Sequence, residues 1–496
     1  MAPLSRVVYA LALLKLAIHL VFINGYGFFR DEFYYLACGR HLSWGYVDHP
    51  PLAAWLCRLV TSIFGESLIA IRVPPALAGA ATVILTGYLA RELGGARFAQ
   101  GLAALCAVTV PWWLAIQHTF QMNAFEPLFW MGCALLYVRI RKSGNQRLWL
   151  WFGVLAGFGL LNKHSLLIFG FGFGAGLVLA RDWKSLTSRW CWAGSVLAFL
   201  IYLPHIVWQA ANGWPIREFT RNAVLYKNAV LPPVAFLMQQ IMPMNPLTFP
   251  VWFGGLAALL VVAKFKTFRA LGWTYLVAFV TFYVMHGKNY YLAPAYPMLL
   301  AAGGVLFEQW RWRQVLVWAV TVSGVVILPF GIPVLKPETF IRYAKALHVE
   351  EVPEERHEVG PLPQFYADMF GWKEMAAEVA RIYHTLPPED QARACVFGQN
   401  YGEAGAVEYY ANELGLPPAI SGHNSYFLWG AGRCGQLLIV IGGNETRAKE
   451  LFEEVIPAGK TFHPYAMPYE NNRVIWICRK PKTDLKSVWP ALKGYG

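Results

Sequence analysis

The chain has 496 residues, of which 56% are hydrophobic, 16% aromatic and only 14% charged. A soluble chain of this length carries about a quarter charged residues. The deficit, with a mean hydropathy of +0.38, excludes an ordinary soluble protein and indicates a polytopic membrane protein. The net charge of +13 does not mark a nucleic-acid binder, because much of it lies in short loops between apolar runs, where positive charge sets topology.

Apolar runs fall near 7–26, 68–90, 99–116, 123–138, 148–162, 165–180, 191–209, 247–263, 271–286, 291–307 and 315–332. They predict a mainly α protein with about 11 transmembrane helices. The first run lacks a small-residue cleavage site, so it is expected to stay as a span. The exits of the even-numbered runs are basic: Arg91 and Arg97, then Arg139, Arg141, Lys142 and Arg147, then Arg181, Lys184 and Arg189. Lys264, Lys266 and Arg269 follow the eighth run, and Arg311 and Arg313 the tenth. These loops, and the N-terminus, are therefore expected on the cytoplasmic side and the C-terminal region on the other.

The opposite loops carry the chemistry-bearing residues. Loop 27–67 opens with Asp31-Glu32 and continues to Asp48-His49-Pro50-Pro51. A carboxylate at a membrane cavity can take a proton from an acceptor or hold a divalent cation; it can also simply favour a helix N-terminus. Asp48 reads as an orienting acid or base, or as an N-cap. His49 reads as a phosphate contact, or as an interfacial residue. Asn123 and Glu126 share a helix face before Pro127, and a Glu entering an apolar span is rarely idle. Lys163, beside His164, suits an anionic lipid phosphate, or snorkels toward water. Lys288 with Tyr290 and Tyr291 suits a phosphate or pyrophosphate, or forms an aromatic belt. Loop 210–246 is expected to form helices on the membrane surface.

Residues 336–496 change character. They contain no spanning run and are entered through Pro353, Pro361, Pro363, Pro387 and Pro388. Helical periodicity at 372–384 and 402–414, with short apolar runs at Val396-Phe397, Leu437 to Ile441 and Val474 to Ile477, predicts a small α/β domain. The organisation expected is thus a membrane domain, 1–335, and an exported domain, 336–496. One disulfide among Cys395, Cys434 and Cys478 is permitted there, and nothing in the sequence selects the pair.

Asp31-Glu32, Tyr46-Val-Asp48-His49-Pro50, Asn123-Ala-Phe-Glu126-Pro127, Leu161-Asn-Lys163 and Lys288-Asn-Tyr-Tyr291-Leu-Ala-Pro294 together resemble the motifs of family 39 glycosyltransferases of the GT-C superfamily. That family includes protein O-mannosyltransferases and bacterial aminoarabinose transferases. The resemblance covers about residues 1–335, with Glu126 where Asp is usual and His49 where some relatives have Lys. It implies a bacterial inner-membrane enzyme that moves a sugar from a polyprenyl-phosphate donor to a lipid, glycan or protein acceptor on the outer face, with inversion. Asp31 would activate the acceptor, supported by Glu32 and Asp48. Lys163, His49 and Lys288 would bind the departing phosphate. Metal dependence stays open, with Asp31 and Glu126 as the candidate ligands. The tail segment Gln399 to Tyr410, with Ser421 to Asn424, resembles the exported domains of bacterial members and reads as an acceptor-side or lid module.

Two other readings compete. A transporter or flippase of a lipid-linked sugar would need the same phosphate ligands, but should place ionisable groups near mid-membrane in broken helices. The mid-span regions read as nearly free of charge, which favours the enzyme. A receptor-like protein would use the exported domain alone and leave the loop carboxylates dispensable.

Overall fold

The computed structural model describes residues 3–228, 231–349, 358 and 360–496; Pro353 lies outside them. The protein is mainly helical, with one five-stranded sheet near its C-terminus.

Every apolar run is helical. Among the described residues, five helices are by themselves long and apolar enough to cross a membrane: Leu68–Glu92, Arg189–Ala211, Ala263–Val284, Asn289–Phe307 and Arg313–Phe330. Pro233–Ile241 and Pro246–Val261, bent by 90°, would together make a sixth. Met122–Ser143 is as long but carries charge at its end, Leu52–Phe64, Leu148–Asn162 and Leu166–Leu179 are shorter, and proline explains one break. The run 99–116 splits at Val110 into Arg97–Thr109 and Pro111–Ile116. Val110 is extended because a proline disfavours helical backbone in the residue before it.

The helices pack through small residues, as apolar surroundings favour. A Cβ on Gly153 or on Gly194 would overlap the facing backbone, so helices Leu148–Asn162 and Arg189–Ala211 cross main chain to main chain. In the stretch 210–246, helix Pro215–Asn222 follows the span Arg189–Ala211, and Pro233–Ile241 is the first arm of the bent pair.

The interior is less free of ionisable groups than the apolar runs suggest. Lys15 and His19, one turn apart in helix Arg6–Val21, are buried together with Gln117 and His118. Lys15 Nζ reaches the Ala107 carbonyl at 3.5 Å, and the rings of His19 and His118 stack at 5.9 Å. This corrects the expectation of a nearly charge-free interior: single polar residues spaced along one helix face vanish in a run-averaged hydropathy, yet they converge in space.

The C-terminal sheet comprises β1 (Ala394–Gly398), β2 (Ala419–Ser421), β3 (Leu437–Ile441), β4 (Phe452–Lys460) and β5 (Val474–Pro481). Their order is β2-β1-β3-β5-β4. β1 runs parallel to β2 and β3, and β5 antiparallel to β3 and β4. Alternation along β1 sends Val396 to one face and Cys395 and Phe397 to the other, as a period of two requires. Cys395 is disulfide-bonded to Cys434, which resolves the open pairing. Helices Trp372–His384 and Tyr401–Leu414 cover the Val396 face.

That same face joins the first loop. Phe28, Phe33, Tyr34, Ala37 and Phe120 belong to one apolar core with Trp372, Tyr401, Ala404 and Val407. Helix Tyr401–Leu414 crosses helix Arg30–Arg40 at Gly405, where a Cβ would press on the Phe33 backbone. The C-terminal domain is therefore built onto the first loop.

Candidate active site

Helix Arg30–Arg40 carries Asp31 and Glu32 in its first turn, where the backbone dipole favours negative charge. The fold then gives the two acids different surroundings. Glu32 is fully buried. Its Oε2 accepts from the Phe29 N–H at 2.8 Å, the backward reach of a capping box. Arg72 grips both oxygens, Nε to Oε1 and Nη2 to Oε2, each at 2.8 Å. The Phe120 N–H adds a bond to Oε1 at 2.9 Å. Arg72 spends its remaining donors on the carbonyls of Ile23 at 2.8 Å and Gly27 at 2.6 Å. Glu32, read as catalytic beside Asp31, thus ties three segments together and presents no open face.

Asp31 keeps 32% of its side chain exposed, against 0% for Glu32 and 3% for Glu126; it is the accessible one of the three. Tyr401 donates to its Oδ1 at 2.7 Å, and Arg30 Nε stands 3.7 Å away. Tyr401 also stacks on Tyr34, with ring centres 4.5 Å apart. Tyr34 in turn donates to Asp48 Oδ1 at 2.8 Å and contacts Ser425 Oγ at 2.7 Å. Burial raises the Asp48 carboxyl, His49 and the Tyr34 bond partly offset this, and the charge of Asp31 pushes it further up. Burial likewise holds the Tyr34 and Tyr401 phenols well above their ordinary value, so both stay protonated as donors.

His49, read as a phosphate ligand, sits 1% exposed in an aromatic box. Tyr46 stacks on it at 4.7 Å, with Tyr35 at 4.9 Å and Tyr34 edge-on at 5.7 Å. Its Nδ1 lies 2.8 Å from the Pro50 carbonyl and its Nε2 3.8 Å from Cys38 Sγ. Both nitrogens are turned inward, an orientation suited to packing the loop rather than to facing an anion.

The cations form a second cluster. Lys163 Nζ pairs with Glu126 Oε2 at 2.9 Å, and Ser165 bonds the other Glu126 oxygen. Lys163 Nζ also lies 4.5 Å from the Tyr291 ring centre and 5.9 Å from that of Tyr290. Lys288 Nζ lies 5.6 Å from the Tyr290 ring centre. Lys163, Lys288, Tyr290 and Tyr291, far apart in sequence, therefore converge. One turn links this cluster to the Asp31 side: the Met122 N–H donates to Tyr35 OH at 3.3 Å, and the Met122 carbonyl accepts from Asn162 Nδ2 at 2.9 Å. Next to it, Asn123 donates to Gln121 Oε1 at 2.7 Å, while its Oδ1 is buried with no hydrogen-bond partner among the described residues.

A metal centre fits poorly. Both Glu126 oxygens are taken, and among the described residues no three His, Cys, Asp or Glu side chains form a cluster that could hold an ion.

His164, the chain neighbour of Lys163, lines a cavity of ≈ 930 Å³ that opens between helices Leu148–Asn162, Leu166–Leu179 and Arg189–Ala211. Its walls are Phe, Leu and Gly; its polar end holds His164, His205, Gln209 and Arg217. His205 Nδ1 lies 2.9 Å from the Trp44 carbonyl and so carries the proton, leaving Nε2 to accept from His164 Nε2 at 3.0 Å.

Arg72, Tyr34, Tyr401 and Ser425 escaped the sequence reading. For Arg72 a signal existed: a lone Arg inside an apolar run needs a partner, and an acid pair lay in the preceding loop.

The chain shares its fold with ArnT. It superimposes on ArnT from Cupriavidus metallidurans in the apo state with a TM-score of 0.65, covering 98% of each chain at 15% identity. Against ArnT bound to undecaprenyl phosphate the TM-score is 0.62, over 94% of this chain and 97% of that one, again at 15% identity. Residues 48–208 match the family described as dolichyl-phosphate-mannose-protein mannosyltransferase. Two proteins of Rhizobium johnstonii are similar in sequence. The lipopolysaccharide core galacturonosyltransferase RgtA is 26% identical over 184 residues, 35% of this chain and 35% of its own length. The lipid A galacturonosyltransferase RgtD is 25% identical over 210 residues, 42% of this chain and 44% of its own length. The sequence matches thus span less than half of either relative, whereas the likeness to ArnT spans both chains nearly whole.

Proposed function

We propose that the protein is an integral membrane glycosyltransferase. It would move a sugar from a polyprenyl-phosphate donor to a lipid, glycan or protein acceptor at the outer face of the bacterial inner membrane. The observation that carries this reading is the pairing of one accessible carboxylate, Asp31, with a nearby cluster of cations and tyrosines beside a lipid-sized apolar cavity.

In this mechanism Asp31 takes the proton from the acceptor hydroxyl as its oxygen attacks the anomeric carbon. The bond to the donor phosphate breaks on the opposite face, so the configuration inverts. The phosphate leaves with the bonding electrons. Lys163, Lys288 and the hydroxyls of Tyr290 and Tyr291 stabilise its growing charge, where fixed cations in a water-poor site act most strongly. The prenyl chain would lie in the apolar cavity beside His164. Tyr401 holds Asp31 in one orientation and leaves its second oxygen for the acceptor. The disulfide Cys395–Cys434 suits an oxidising compartment, which supports an exported C-terminal domain. ArnT bound to undecaprenyl phosphate supports the donor class; the names of RgtA and RgtD support an acceptor of the lipopolysaccharide type.

The test uses purified full-length protein in liposomes with an undecaprenyl-phosphate-linked sugar and lipopolysaccharide. Wild type should release undecaprenyl phosphate and form a new glycosidic bond. Asp31→Asn should lose about 10²–10⁴-fold in rate while still binding undecaprenyl phosphate. Full activity in that variant overturns the role of Asp31.

The flippase reading keeps one specific support, the buried cluster of Lys15, His19 and His118, since ionisable groups inside a membrane often mark a transport path. Movement of the lipid-linked sugar across liposomes without glycosidic bond formation, abolished by Lys15→Met, would favour it.

A further inference from the structure

A second cavity, of ≈ 320 Å³, lies where the first loop, the end of helix Arg189–Ala211 and the C-terminal domain meet. His41, Tyr46, Trp208, Asn212, Ser425 and Trp429 line it. Asp31, Lys163 and Lys288 do not, so it is separate from the proposed reaction centre. Its volume falls in the range of small-molecule sites, about 300–1,000 Å³.

The lining has a definite chemistry. Trp429 stacks on His41 with ring centres 4.3 Å apart and planes 16° apart. The Trp208 indole is held against the loop backbone at Gly45, where a Cβ would overlap both its ring and that of His205. Trp208 is thus turned inward rather than spread into an interfacial belt. Between the aromatic rings lie an amide and a hydroxyl. Asn212 Nδ2 donates to the Trp208 carbonyl at 2.9 Å, leaving its Oδ1 and second N–H for another partner. Ser425 Oγ accepts from the Val47 N–H at 3.2 Å. Among the described residues no Asp, Glu, Lys or Arg lines the cavity, so a phosphate or carboxylate would find no counter-charge from them. Flat aromatic faces beside neutral hydrogen-bonding groups suit a sugar ring, which offers C–H bonds on its face and hydroxyls on its edge.

We propose that this cavity is a carbohydrate subsite that holds a neutral sugar ring of the acceptor, away from the reacting hydroxyl. Its acceptor role rests on the transferase reading; its affinity for carbohydrate does not. The subsite also connects to the centre. Ser425 contacts Tyr34 at 2.7 Å, and Tyr34 bonds Asp48 and stacks on Tyr401, the partner of Asp31. Occupancy at one end therefore bears on the orientation of the carboxylate at the other.

The test is saturation-transfer-difference NMR on the detergent-solubilised full chain, with the core oligosaccharide released from lipopolysaccharide by mild acid as probe. Wild type and Asp31→Asn should transfer saturation to ring C–H protons. Trp429→Ala and Asn212→Ala should reduce it at least fivefold, and Trp429→Phe should retain part of it. Asn212 is exposed, so its variant is expected to fold normally. No transfer in wild type, or transfer in Asn212→Ala and Trp429→Ala undiminished from wild type, overturns the carbohydrate assignment. In the transferase assay Asn212→Ala should raise the acceptor KM about tenfold with kcat unchanged. An unchanged KM overturns the acceptor role. Saccharide binding without transfer by any variant or wild type would instead sink the transferase reading and leave the subsite standing.

Discussion

Tyr401 donates a 2.7 Å hydrogen bond to Asp31, a residue 370 positions earlier in the chain. The accessible acid of the first loop is therefore oriented from the C-terminal domain. Tyr401→Phe keeps the ring stacks on Tyr34 and on His423, the latter at 4.9 Å, and removes only the hydroxyl. The expected outcome is a fall in kcat of about tenfold, in line with a hydrogen bond to a charged group, with the donor KM unchanged. Steady-state kinetics on the purified variant decide it; an unchanged kcat would mean that the bond is incidental.

Glu32 and Arg72 form a buried, fully bonded ion pair, and such a pair is costly to break from one side. Arg72→Met should cost about 3–5 kcal/mol, seen as loss of folded protein on size-exclusion chromatography. The double variant Glu32→Gln/Arg72→Met should recover much of that loss, because neither partner is left charged. A well-folded Arg72→Met protein with only its rate impaired would return Glu32 to the chemistry.

Lys163 and Glu126 make opposite predictions for the donor. Lys163→Met should weaken binding of undecaprenyl phosphate about 10–100-fold, the value of one charge-assisted contact. Glu126→Gln releases Lys163 from its pair and should leave that affinity equal or tighter. Binding of radiolabelled undecaprenyl phosphate to protein in micelles separates the two. A large loss in Glu126→Gln would mean that the pair, rather than the free ammonium, shapes the phosphate site.

Glu408, on the helix that meets the first loop, accepts from Tyr426 OH at 2.9 Å, and burial pushes its carboxyl up to about 7. The folded state thus binds a proton more tightly than the unfolded one. Its contribution to stability is complete below the ordinary glutamate value and is lost as pH rises through about 7. Glu408→Gln keeps an acceptor for Tyr426 and should gain about 1–3 kcal/mol over wild type at pH 8 and nothing at pH 4.5. Denaturation midpoints at the two pH values check the sign; an equal gain at both would point to packing instead.

Much of the architecture was legible because it is local. The helices at 372–384 and 402–414 carried their own periodicity, and the structure has Trp372–His384 and Tyr401–Leu414. β1, β3 and β5 were apolar runs long enough to read. β4 was not: Pro457 and Gly459 interrupt it at a register shift, which an edge strand tolerates and a sequence pattern does not reveal. β2 has only three residues. The site divides in the same way. Asp31, Lys163 and Lys288 stood out as charges close to the ends of apolar runs, and Asp48 as an acid beside a histidine in the first loop. Tyr401 and Ser425 did not, because their relation to the first loop exists only in the folded chain. The separate fates of Asp31 and Glu32 were equally hidden, since adjacent residues on a helix point about 100° apart and only the neighbours decide which is buried.

The shared core of Phe33, Tyr34, Trp372, Tyr401 and Ala404 has a consequence for biosynthesis. The first loop leaves the ribosome early, but the wall it packs against is made last. Until residues beyond 400 have been synthesised and folded, helix Arg30–Arg40 lacks its covering and Asp31 its partner. A nascent or truncated chain would sit in the bilayer with its acid unoriented, and a stop codon late in the gene would disarm the centre at the opposite end of the polypeptide.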